Sequence, residues 1–512
     1  MDELTYDVAV LGGGISGLYA AWRLVTSGRP GDRRVCVVEA APRLGGRVET
    51  IDPPTPGARL ELGAMRFMAD HDLVRRLSAE LGVRTRRIES DDGGRGFYHL
   101  RGARFRAGDL SSRATRLPYQ LRDTEQAMHP DDLFSDVIGR ALAETGRQIP
   151  RDRAGWNELK MQGTFRGIAL DDLGFWNVAG ELLSSEAYAY LRDANGYDCN
   201  NWAAGEVMQT QLASFGKDAS YSRFADGTAS LTTALANGIE AAGGNLLAGH
   251  RVLAVSAGDS GPASVAASIA APGTGADGDR VRSISARHAI IAMPPRAIAL
   301  IDAPCLTARR ADLEAVVSQP ALKVLLGFES PWWEDEPLRI GGGRSNTDLP
   351  IRQVYYLDDH KAGHETATLM IVCNDDRSYD YFQPLAATSL ARLCDGTVRD
   401  PAVGRILGHV LSQLETLHGV RLPTPVWIAV RDWVHDPFGG AYHGWRPGRR
   451  GWEVARRLRR PVADLNLHIC GSAFSDLPTW MEGALGNTEK LLREVFELPV
   501  PQWLAPVSYL GW

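Results

Sequence analysis

The feature that most constrains the fold is a glycine pattern near the start of the sequence. An apolar run at residues 8–11 is followed by Gly12, Gly14 and Gly17 in G-x-G-x-x-G spacing, and then by apolar residues at helical spacing. A second apolar run ends at Glu39, about 20 residues after the last glycine. This order predicts a strand, a tight turn, a helix and a second strand that ends in an acidic side chain.

Each residue type in this pattern has a physical reason. Gly12 makes the turn, Gly14 lets the backbone approach a pyrophosphate, and Gly17 lets the helix pack closely on the strand. Unpaired N–H groups at the start of the helix face the phosphates, and the acidic side chain meets a ribose hydroxyl. A glycine-rich turn without a ligand is disfavoured because strand, helix and acidic residue occur together. The predicted cofactor contacts here are Gly12, Gly14, Ser16, Gly17, Glu39 and Ala40.

Length and composition limit the remaining possibilities. With 512 residues, 44% of them hydrophobic, the chain is expected to form two or more domains with a large core. Its net charge is −6 and it has no long basic block, so nucleic acid and an anionic membrane are poor candidates for a partner. The apolar run at residues 8–22 is too short to span a bilayer and follows acidic residues, which predicts a cytoplasmic chain. Six separated cysteines without a C-x-x-C pair predict neither a zinc site nor a disulfide framework, and no metal is expected.

The continuation after Glu39 indicates which cofactor is bound. Arg43-Leu44-Gly45-Gly46-Arg47 is an R-x-G-G-R motif, and at this point the sequence resembles the FAD-dependent amine oxidase superfamily. The resemblance implies FAD as cofactor and contacts from Arg43, Gly46 and Arg47. Ala41 stands where relatives usually have an arginine, so one phosphate contact of the family is not expected here.

A second motif narrows the resemblance to one branch. Gly63-Ala64-Met65-Arg66 is similar to a tetrapeptide of the L-amino-acid oxidases, in which the arginine lies over the flavin and grips the substrate carboxylate. An arginine suits this task because its planar fork makes two parallel charge-assisted bonds. The alternative is a surface arginine in a salt bridge. The resemblance implies that all four residues contact the cofactor and that Arg66 also binds the substrate.

The middle of the chain resembles the family in its organisation. Residues 123–222 are mostly helical in pattern and rich in aromatic residues, and they resemble the helical insertion of the family. These aromatic residues either form core or wall a substrate entrance. Val252 follows as the predicted backbone contact to adenine. Residues 257–279 are small, polar and glycine-rich, which predicts a hairpin or loop.

Lys323 is the candidate catalytic residue. It is the single charge in the apolar strand pattern of residues 321–328, where a charge is costly without a partner or a function. In related flavin oxidases a lysine at this place holds a water against the flavin N5, and Lys323 matches it. The alternative is a lysine that extends from the strand end to solvent.

Two later segments add candidate substrate contacts. Residues 341–358, GGGRSNTDLPIRQVYYLD, resemble the stretch of L-amino-acid oxidases that supplies a tyrosine to the substrate carboxylate. Strand alternation sends Tyr355 and Tyr356 to opposite faces, and Tyr356 is the predicted contact. Monoamine oxidases have a cysteine joined to the flavin where this chain has Ala441, so the FAD is expected to be non-covalent. Tyr442 and Trp445 are the predicted aromatic neighbours of the substrate, although Trp445 can equally pack against the neighbouring domain.

The last segment resembles the part of the family that closes the flavin site. A strand at residues 467–470 precedes Gly471-Ser472, where most relatives have Gly-Glu, and a helix then begins near Trp480. The positive end of this helix is expected to stabilise the anionic reduced ring. The predicted contacts are Gly471, Ser472, Trp480, Met481 and Ala484, with Trp480 also beside the substrate. Asp476 is a possible substitute for the missing glutamate.

Together these blocks follow the order of the family and imply its architecture. The expected fold is α/β: a Rossmann-like FAD-binding domain from residues 1–66, 223–305 and 450–498, a mixed-sheet substrate-binding domain from 67–122 and 306–449, and a helical insertion from 123–222.

The resemblance implies FAD-dependent oxidative deamination of an L-amino acid with dioxygen as acceptor, giving 2-oxo acid, ammonia and hydrogen peroxide, by a cytoplasmic homodimer. The alternatives are an L-amino-acid 2-monooxygenase, a polyamine or monoamine oxidase, and a flavin-binding scaffold without turnover. The sequence leaves open whether the amino acid is large and aromatic or basic.

Overall fold

Two large β-sheets and a group of helices make up the protein. The computed structural model describes residues 3–28, 31–54, 59–88, 95–197, 201–216, 219–258, 264–271, 280–357, 366–386, 391–395, 401–434, 436, 439–507 and 509–512.

The first sheet has seven strands. Across the sheet they run Asn245–Ala248, Val35–Glu39, Glu3–Leu11, Arg280–Ile291, Val265–Ala271 and Arg251–Ala257, and Leu467–Ile469 pairs with the end of Arg280–Ile291. The pairs nearest the first strand are parallel, whereas the last three strands of the row form an antiparallel meander. Helices Ile15–Thr26, Ala229–Ala241 and Met481–Phe496 pack on one face. The other face belongs to a second apolar cluster that includes Ala9, Leu11 and Val38, so the apolar runs of the sequence are buried on both sides.

The second sheet has eight strands and is mostly antiparallel. Its order is Ala391–Asp395, Trp427–Asp432, Leu322–Phe328, Ala367–Cys373, Gln353–Tyr356, Arg344–Thr347, Phe97–Leu100 and Ala103–Arg106. Only the pair of Arg344–Thr347 with Phe97–Leu100 is parallel within this described row. One face packs on helix Pro401–His418, and a smaller apolar cluster on the other face includes Leu60 and Leu62. This second face is turned toward the segment that carries the predicted G-A-M-R motif.

Five helices in the described part of residues 130–215 form a third layer. They are Pro130–Ala143, Arg153–Gln162, Phe175–Leu182, Ser185–Asn195 and Ala204–Phe215. Aromatic residues predicted here as core or entrance are largely core, and Trp156, Phe165, Phe175 and Trp202 belong to one buried cluster. The helices that pack elsewhere are Asp72–Glu80, Pro295–Ala299, Arg310–Leu313, Asp376–Ala386 and Gly451–Arg459.

Short elements connect the layers. The strands are Thr50–Ile51 with Leu60–Glu61, Tyr221–Phe224 with Phe67–Met68 and Thr85–Arg87, Val316–Gln319 with Tyr442–Trp445, and Thr164–Phe165 with Ile168–Ala169. The 3-10 helices are Ala107–Ser111, Pro304–Arg309, Ser472–Phe474 and Gln502–Leu504.

The strands are distributed as the predicted domains require. All strands of the first sheet come from residues 1–66, 223–305 and 450–498, and all strands of the second come from 67–122 and 306–449. The boundaries themselves stay predictions. The predicted hairpin or loop at 257–279 contributes strand Val265–Ala271, while residues 259–263 and 272–279 lie outside the described residues.

Three further findings concern only the described ranges. No helix in them is both long enough and apolar enough to cross a membrane. No three His, Cys, Asp or Glu side chains there are grouped as a metal site would need. Cys36, Cys305, Cys373 and Cys470 are free thiols, and Cys199 lies outside the described residues.

Candidate active site

The glycine turn has the geometry that its spacing predicts. Gly12 has φ +116°, and a Cβ on it would lie 2.6 Å from the carbonyl oxygen of Ala292. A Cβ on Gly17 would lie 1.9 Å from the oxygen of Gly12, so this glycine allows the close packing of helix and strand. A Cβ on Gly14 would meet nothing within 4 Å. The turn therefore leaves open space next to Gly14 at the start of the first helix.

This space is part of a cavity of about 490 Å³. Such a volume is in the range of small-molecule and cofactor sites. Most of the predicted contacts line the cavity: Gly12, Gly14, Ser16, Glu39, Ala40, Arg43, Gly46, Arg47, Gly63, Ala64, Val252, Lys323, Tyr442, Gly471, Ser472, Trp480, Met481 and Ala484. Gly17, Met65, Arg66, Tyr356 and Trp445 do not line it. Gly17 lies behind the turn, and Met65 packs against the apolar cluster of the second sheet.

Glu39 is fixed by the backbone at one end of the cavity. The N–H groups of Gly13 and Ala41 donate to its two carboxylate oxygens, each at 2.8 Å. Burial raises the pKa of Glu39, and these two N–H groups counteract part of that rise. Each carboxylate oxygen can accept a further hydrogen bond, so Glu39 can receive the hydroxyls of a ribose.

The two arginines of the R-x-G-G-R motif have different environments. Arg43 turns back on its own loop, where Nη2 is 3.0 Å from the carboxylate of Glu49. Arg47 instead donates to the carbonyl oxygen of Ala441 at 3.2 Å and to the hydroxyl of Ser472 at 3.1 Å. These partners are neutral, and desolvation lowers the pKa of Arg47 to about 10, although the charge of Asp436 acts in the opposite direction. Arg47 is thus a desolvated cation on the cavity wall, which suits an anionic group such as a phosphate.

Lys323 lies in the same cavity and is tied to the G-A-M-R segment. Its Nζ donates to the carbonyl oxygens of Gly63 at 2.6 Å and Glu61 at 3.2 Å, and the residue is only 8% exposed. An ammonium has three donors, so one remains for a ligand or water. Burial lowers the pKa of Lys323 to about 8, with the charge of Arg66 acting in the same direction and Glu61 opposing it. Lys323 therefore does not extend from the strand end to solvent.

Arg66 is held beside the cavity wall by aromatic rings. Its guanidinium carbon lies 4.0 Å from the ring centre of Tyr221 and 5.8 Å from that of Tyr355. Within the described ranges it forms no ion pair and donates no hydrogen bond, so the alternative of a salt-bridged surface arginine does not hold. Burial opposes the charge, but the phenol groups of Tyr355, Tyr221 and Tyr197 together raise the pKa of Arg66. A cation of this kind is an effective receptor for a carboxylate.

The structure corrects the choice between the two neighbouring tyrosines. Lys323 pairs with Val372, and Val372 pairs with Gln353, so Tyr355 shares the Lys323 face of the sheet. The hydroxyl of Tyr356 lies on the opposite face, 2.7 Å from Nε2 of His418. Tyr355 and not Tyr356 is therefore the tyrosine beside Arg66. The common register of the two strands with Lys323 is the signal that decides it, and it is not visible in either strand alone.

The prediction for Trp445 is also corrected. Trp445 is 1% exposed, and its Nε1 donates to the carbonyl oxygen of Ser475 at 2.8 Å, inside the core. Tyr442 and Trp445 are three residues apart on one strand, so their side chains leave it on opposite faces. Tyr442 faces the cavity together with Trp480, whose ring packs edge-on against His71 at 4.9 Å.

Asp476 does not take the place of the missing glutamate. Its Oδ2 accepts from Nε of Arg153 at 2.6 Å and from Nδ2 of Asn157, so the carboxylate points to the helical layer. Further lining residues are not among the predicted contacts, and Val372, Asn374 and Trp433 are three of them. They reach the cavity through strand pairing or through a contact such as Trp433 Nε1 with the carbonyl oxygen of Leu62, and no local sequence signal marks them.

These features define a class of protein. A mainly parallel sheet with a glycine turn, a cavity at the carboxyl ends of its strands and a second sheet over that cavity are the arrangement in which dinucleotide cofactors bind. Residues 15–487 match the model of the flavin containing amine oxidoreductase family, and the chain belongs to this family. The α/β fold with a Rossmann-like domain is thereby confirmed, and a flavin is supported as cofactor.

Individual relatives are distant but cover the chain. An L-amino-acid oxidase of Siganus canaliculatus is 26% identical over 97% of this chain and 88% of its own length. Aplysianin-A of Aplysia kurodai is 24% identical over 96% of this chain and 90% of its own. Putrescine oxidase bound to putrescine has a TM-score of 0.68 at 20% identity, with 97% of this chain and 100% of that chain covered. Cyclohexylamine oxidase of Brevibacterium oxydans has a TM-score of 0.68 at 22% identity, with 96% and 99% covered.

The residues present fit a flavin dinucleotide. The open side of Gly14 leaves room for a pyrophosphate, Arg47 provides a cation with neutral partners, and Glu39 provides ribose acceptors. The helix Met481–Phe496 begins at the cavity, where Met481 and Ala484 form part of the wall. Its positive end suits a ring that becomes anionic.

Proposed function

We propose that the protein catalyses the oxidative deamination of an L-amino acid with non-covalently bound FAD. The observation that carries the proposal is Arg66, a cation without an ion pair in the described residues, whose guanidinium lies over the ring of Tyr221 and near that of Tyr355. Lys323, which lines the cavity, donates a hydrogen bond to the carbonyl oxygen of Gly63, three residues before Arg66. A substrate carboxylate at Arg66 would therefore lie close to the flavin site. The name of the Siganus relative supports the same reaction.

The residues have distinct tasks in this reaction. Arg66 binds the carboxylate and so orients Cα, with Tyr355 beside it. Trp480 and Tyr442 line the cavity, and in this proposal their rings exclude water from the reacting carbon. The flavin, when bound, supplies the two-electron oxidation of the C–N bond and the reduction of dioxygen to hydrogen peroxide. Lys323 places a positive charge on the cavity wall, which favours a step that develops negative charge.

Amine oxidation is the second candidate. Its only support is the names of the structural neighbours reported above, putrescine oxidase and cyclohexylamine oxidase, whose identities of 20% and 22% bear on the fold alone. Against it stands Arg66, because a guanidinium without a carboxylate partner repels a substrate cation and has no group to bind on a simple amine. An amino-acid 2-monooxygenase would use the same carboxylate contacts and differs only in its products.

Oxygen consumption with each of the twenty L-amino acids and with putrescine and cyclohexylamine tests the proposal. We expect consumption with at least one amino acid, with equimolar hydrogen peroxide and 2-oxo acid. An amide with loss of carbon dioxide would identify the monooxygenase. Turnover of the amines without turnover of any amino acid would contradict the proposal.

Acid precipitation tests the mode of cofactor binding. Ala441 lines the cavity in the position of the family's linking cysteine, and a methyl group forms no thioether. We expect all FAD to appear in the supernatant after precipitation with trichloroacetic acid, measured by absorbance and chromatography. Flavin that stays in the washed pellet would contradict non-covalent binding.

A pair of glycine variants tests the place of the dinucleotide. Gly14 has φ −74°, which any residue adopts, so Gly14→Val should fold normally but place its methyl groups in the pyrophosphate space. We expect an apoprotein with the parent melting temperature and a flavin affinity at least roughly tenfold lower. Gly17→Ala is the control, because its Cβ meets the Gly12 oxygen and should cost about 1–3 kcal/mol of stability by overpacking. Parent-like flavin binding in Gly14→Val would place the cofactor elsewhere.

The remaining sequence predictions concern the state of the protein in the cell. We propose a cytoplasmic homodimer without nucleic acid or membrane partners, and its oligomeric state is measurable by light scattering on the purified holoprotein.

A further inference from the structure

A buried amide lies next to the tyrosine that accompanies Arg66. Gln353 is 0% exposed and is two residues before Tyr355 on the same face of the strand. The hydroxyl of Tyr355 donates to Oε1 of Gln353 at 2.9 Å. On its other side, Nε2 of Gln353 donates to the carbonyl oxygen of Gly196 at 3.0 Å and to Oδ1 of Asn374 at 3.1 Å.

The orientation of this amide is fixed by its surroundings. A carbonyl oxygen can only accept, so the atom next to Gly196 must be the nitrogen of Gln353. The oxygen of Gln353 therefore faces Tyr355, and the phenolic hydrogen points along the strand toward it. A Cβ on Gly196 would lie 2.8 Å from Cγ of Gln353, so the helical layer also prevents the side chain from moving away.

The same amide connects two parts of the site. Asn374 lines the cavity, and its main-chain oxygen accepts from the hydroxyl of Tyr442 at 3.2 Å. Gln353 thus joins Tyr355, which lies beside Arg66, to the chain that holds Tyr442. Burial would raise the pKa of Tyr355, but Arg66 and Arg344 outweigh it and hold the pKa below its usual value, which makes the hydroxyl a stronger donor.

We propose that Gln353 is a positioning residue that holds the Tyr355 hydroxyl ready for the substrate carboxylate. The inference rests on the proposed amino-acid oxidation. A neutral amide is a weaker acceptor than a carboxylate, so the phenolic hydrogen rests on Gln353 in the free protein and is transferred as a hydrogen bond, without ionisation, to the bound carboxylate. Loss of the amide leaves the phenolic hydrogen without its acceptor, whereas the hydrogen bonds of Arg344 and Tyr197 to the Tyr355 hydroxyl remain.

Steady-state kinetics of a double-mutant cycle test this role. The variants are Gln353→Met, which has nearly the same shape, Tyr355→Phe, and the two combined. We expect each single change to raise KM for the best amino acid roughly tenfold with kcat within a factor of about 2. The double variant should be no worse than Tyr355→Phe, because the amide acts through the hydroxyl. The corresponding decarboxylated amine should show no effect of Gln353→Met.

Asn346→Leu is the matched control. Asn346 lies opposite Gln353 on the neighbouring strand and also joins the sheet to the helical layer, but its Nδ2 donates to Ala194 and Tyr98. The variant Asn346→Leu should leave KM within a factor of about 2 if the rise of KM in Gln353→Met comes from the Tyr355 hydroxyl and not from the packing between layers.

The outcomes separate the two proposals. Independent effects that multiply in the double variant, or an equal rise of KM in Asn346→Leu, overturn the role of Gln353. If Gln353→Met does not fold, Gln353→Asn withdraws the same oxygen from the hydroxyl and carries the same expectations. A parent protein that oxidises no amino acid refutes the proposed function, and the inference with it. An active parent with unchanged KM in Gln353→Met refutes the inference alone.

Discussion

Arg66→Met is expected to lower kcat/KM for the best amino acid by roughly 30- to 1000-fold while flavin occupancy stays normal. A bidentate pair between a guanidinium and a carboxylate that is partly shielded from water should contribute about 2–4 kcal/mol to the oriented complex. Methionine keeps much of the contact with Tyr221 and removes the charge. Because Arg66 does not line the flavin cavity, the change should not release the cofactor.

Two controls make the Arg66 result specific. The decarboxylated amine of the same substrate should react with parent and variant at similar rates, since it has no carboxylate. Arg84→Met removes an exposed arginine that pairs with Asp226 at 2.9 Å, and it should behave as the parent does. Unchanged amino-acid oxidation by Arg66→Met would remove the main support for an amino-acid substrate.

Lys323→Met is expected to slow the reaction of the reduced flavin with dioxygen roughly 100-fold, and reduction by substrate much less. The reason is that the cavity loses a fixed positive charge that favours the step in which negative charge develops. Stopped-flow absorbance measures the two half-reactions separately. A variant in which both are unchanged would exclude this role for Lys323.

The pH profile provides an independent check on the lysine. The pKa of Lys323 is lowered to about 8 by burial, so its charge is present below that pH and is lost as the pH rises through it. The parent rate constant for reaction with dioxygen should therefore fall above pH about 8, and the profile of Lys323→Met should be flat over the same range. A flat profile of the parent, or a pH dependence that persists in Lys323→Met, would contradict this role of Lys323.

The parts of the site that depend on local sequence were predictable. Gly12, Gly14 and Glu39 act within one strand–turn–helix unit, and their spacing alone sets their positions. A motif marks Arg47, and an isolated charge in an apolar strand marks Lys323. These residues reach the cavity through the element on which they lie.

The parts that failed depend on which face of a strand meets the cavity. Tyr355 and Tyr356 alternate, and only the register with Lys323 decides between them. Strand alternation places Trp445 on the face opposite Tyr442, where it lies in the core. Gln353 and Asn374 come together from different strands, and no periodicity or motif predicts a hydrogen bond between side chains so distant in the chain.

The electrostatic contact between Arg66 and Lys323 has a consequence for the order of events in the site. The charge of Arg66 helps to lower the pKa of Lys323, so a carboxylate that neutralises Arg66 should raise it again. By reciprocity, a charged Lys323 strengthens the attraction for that carboxylate. Occupied protein should then hold its lysine protonated to a higher pH than empty protein does. We therefore expect substrate and proton to bind cooperatively, so that more of the occupied protein than of the empty protein carries a charged Lys323 when it meets dioxygen.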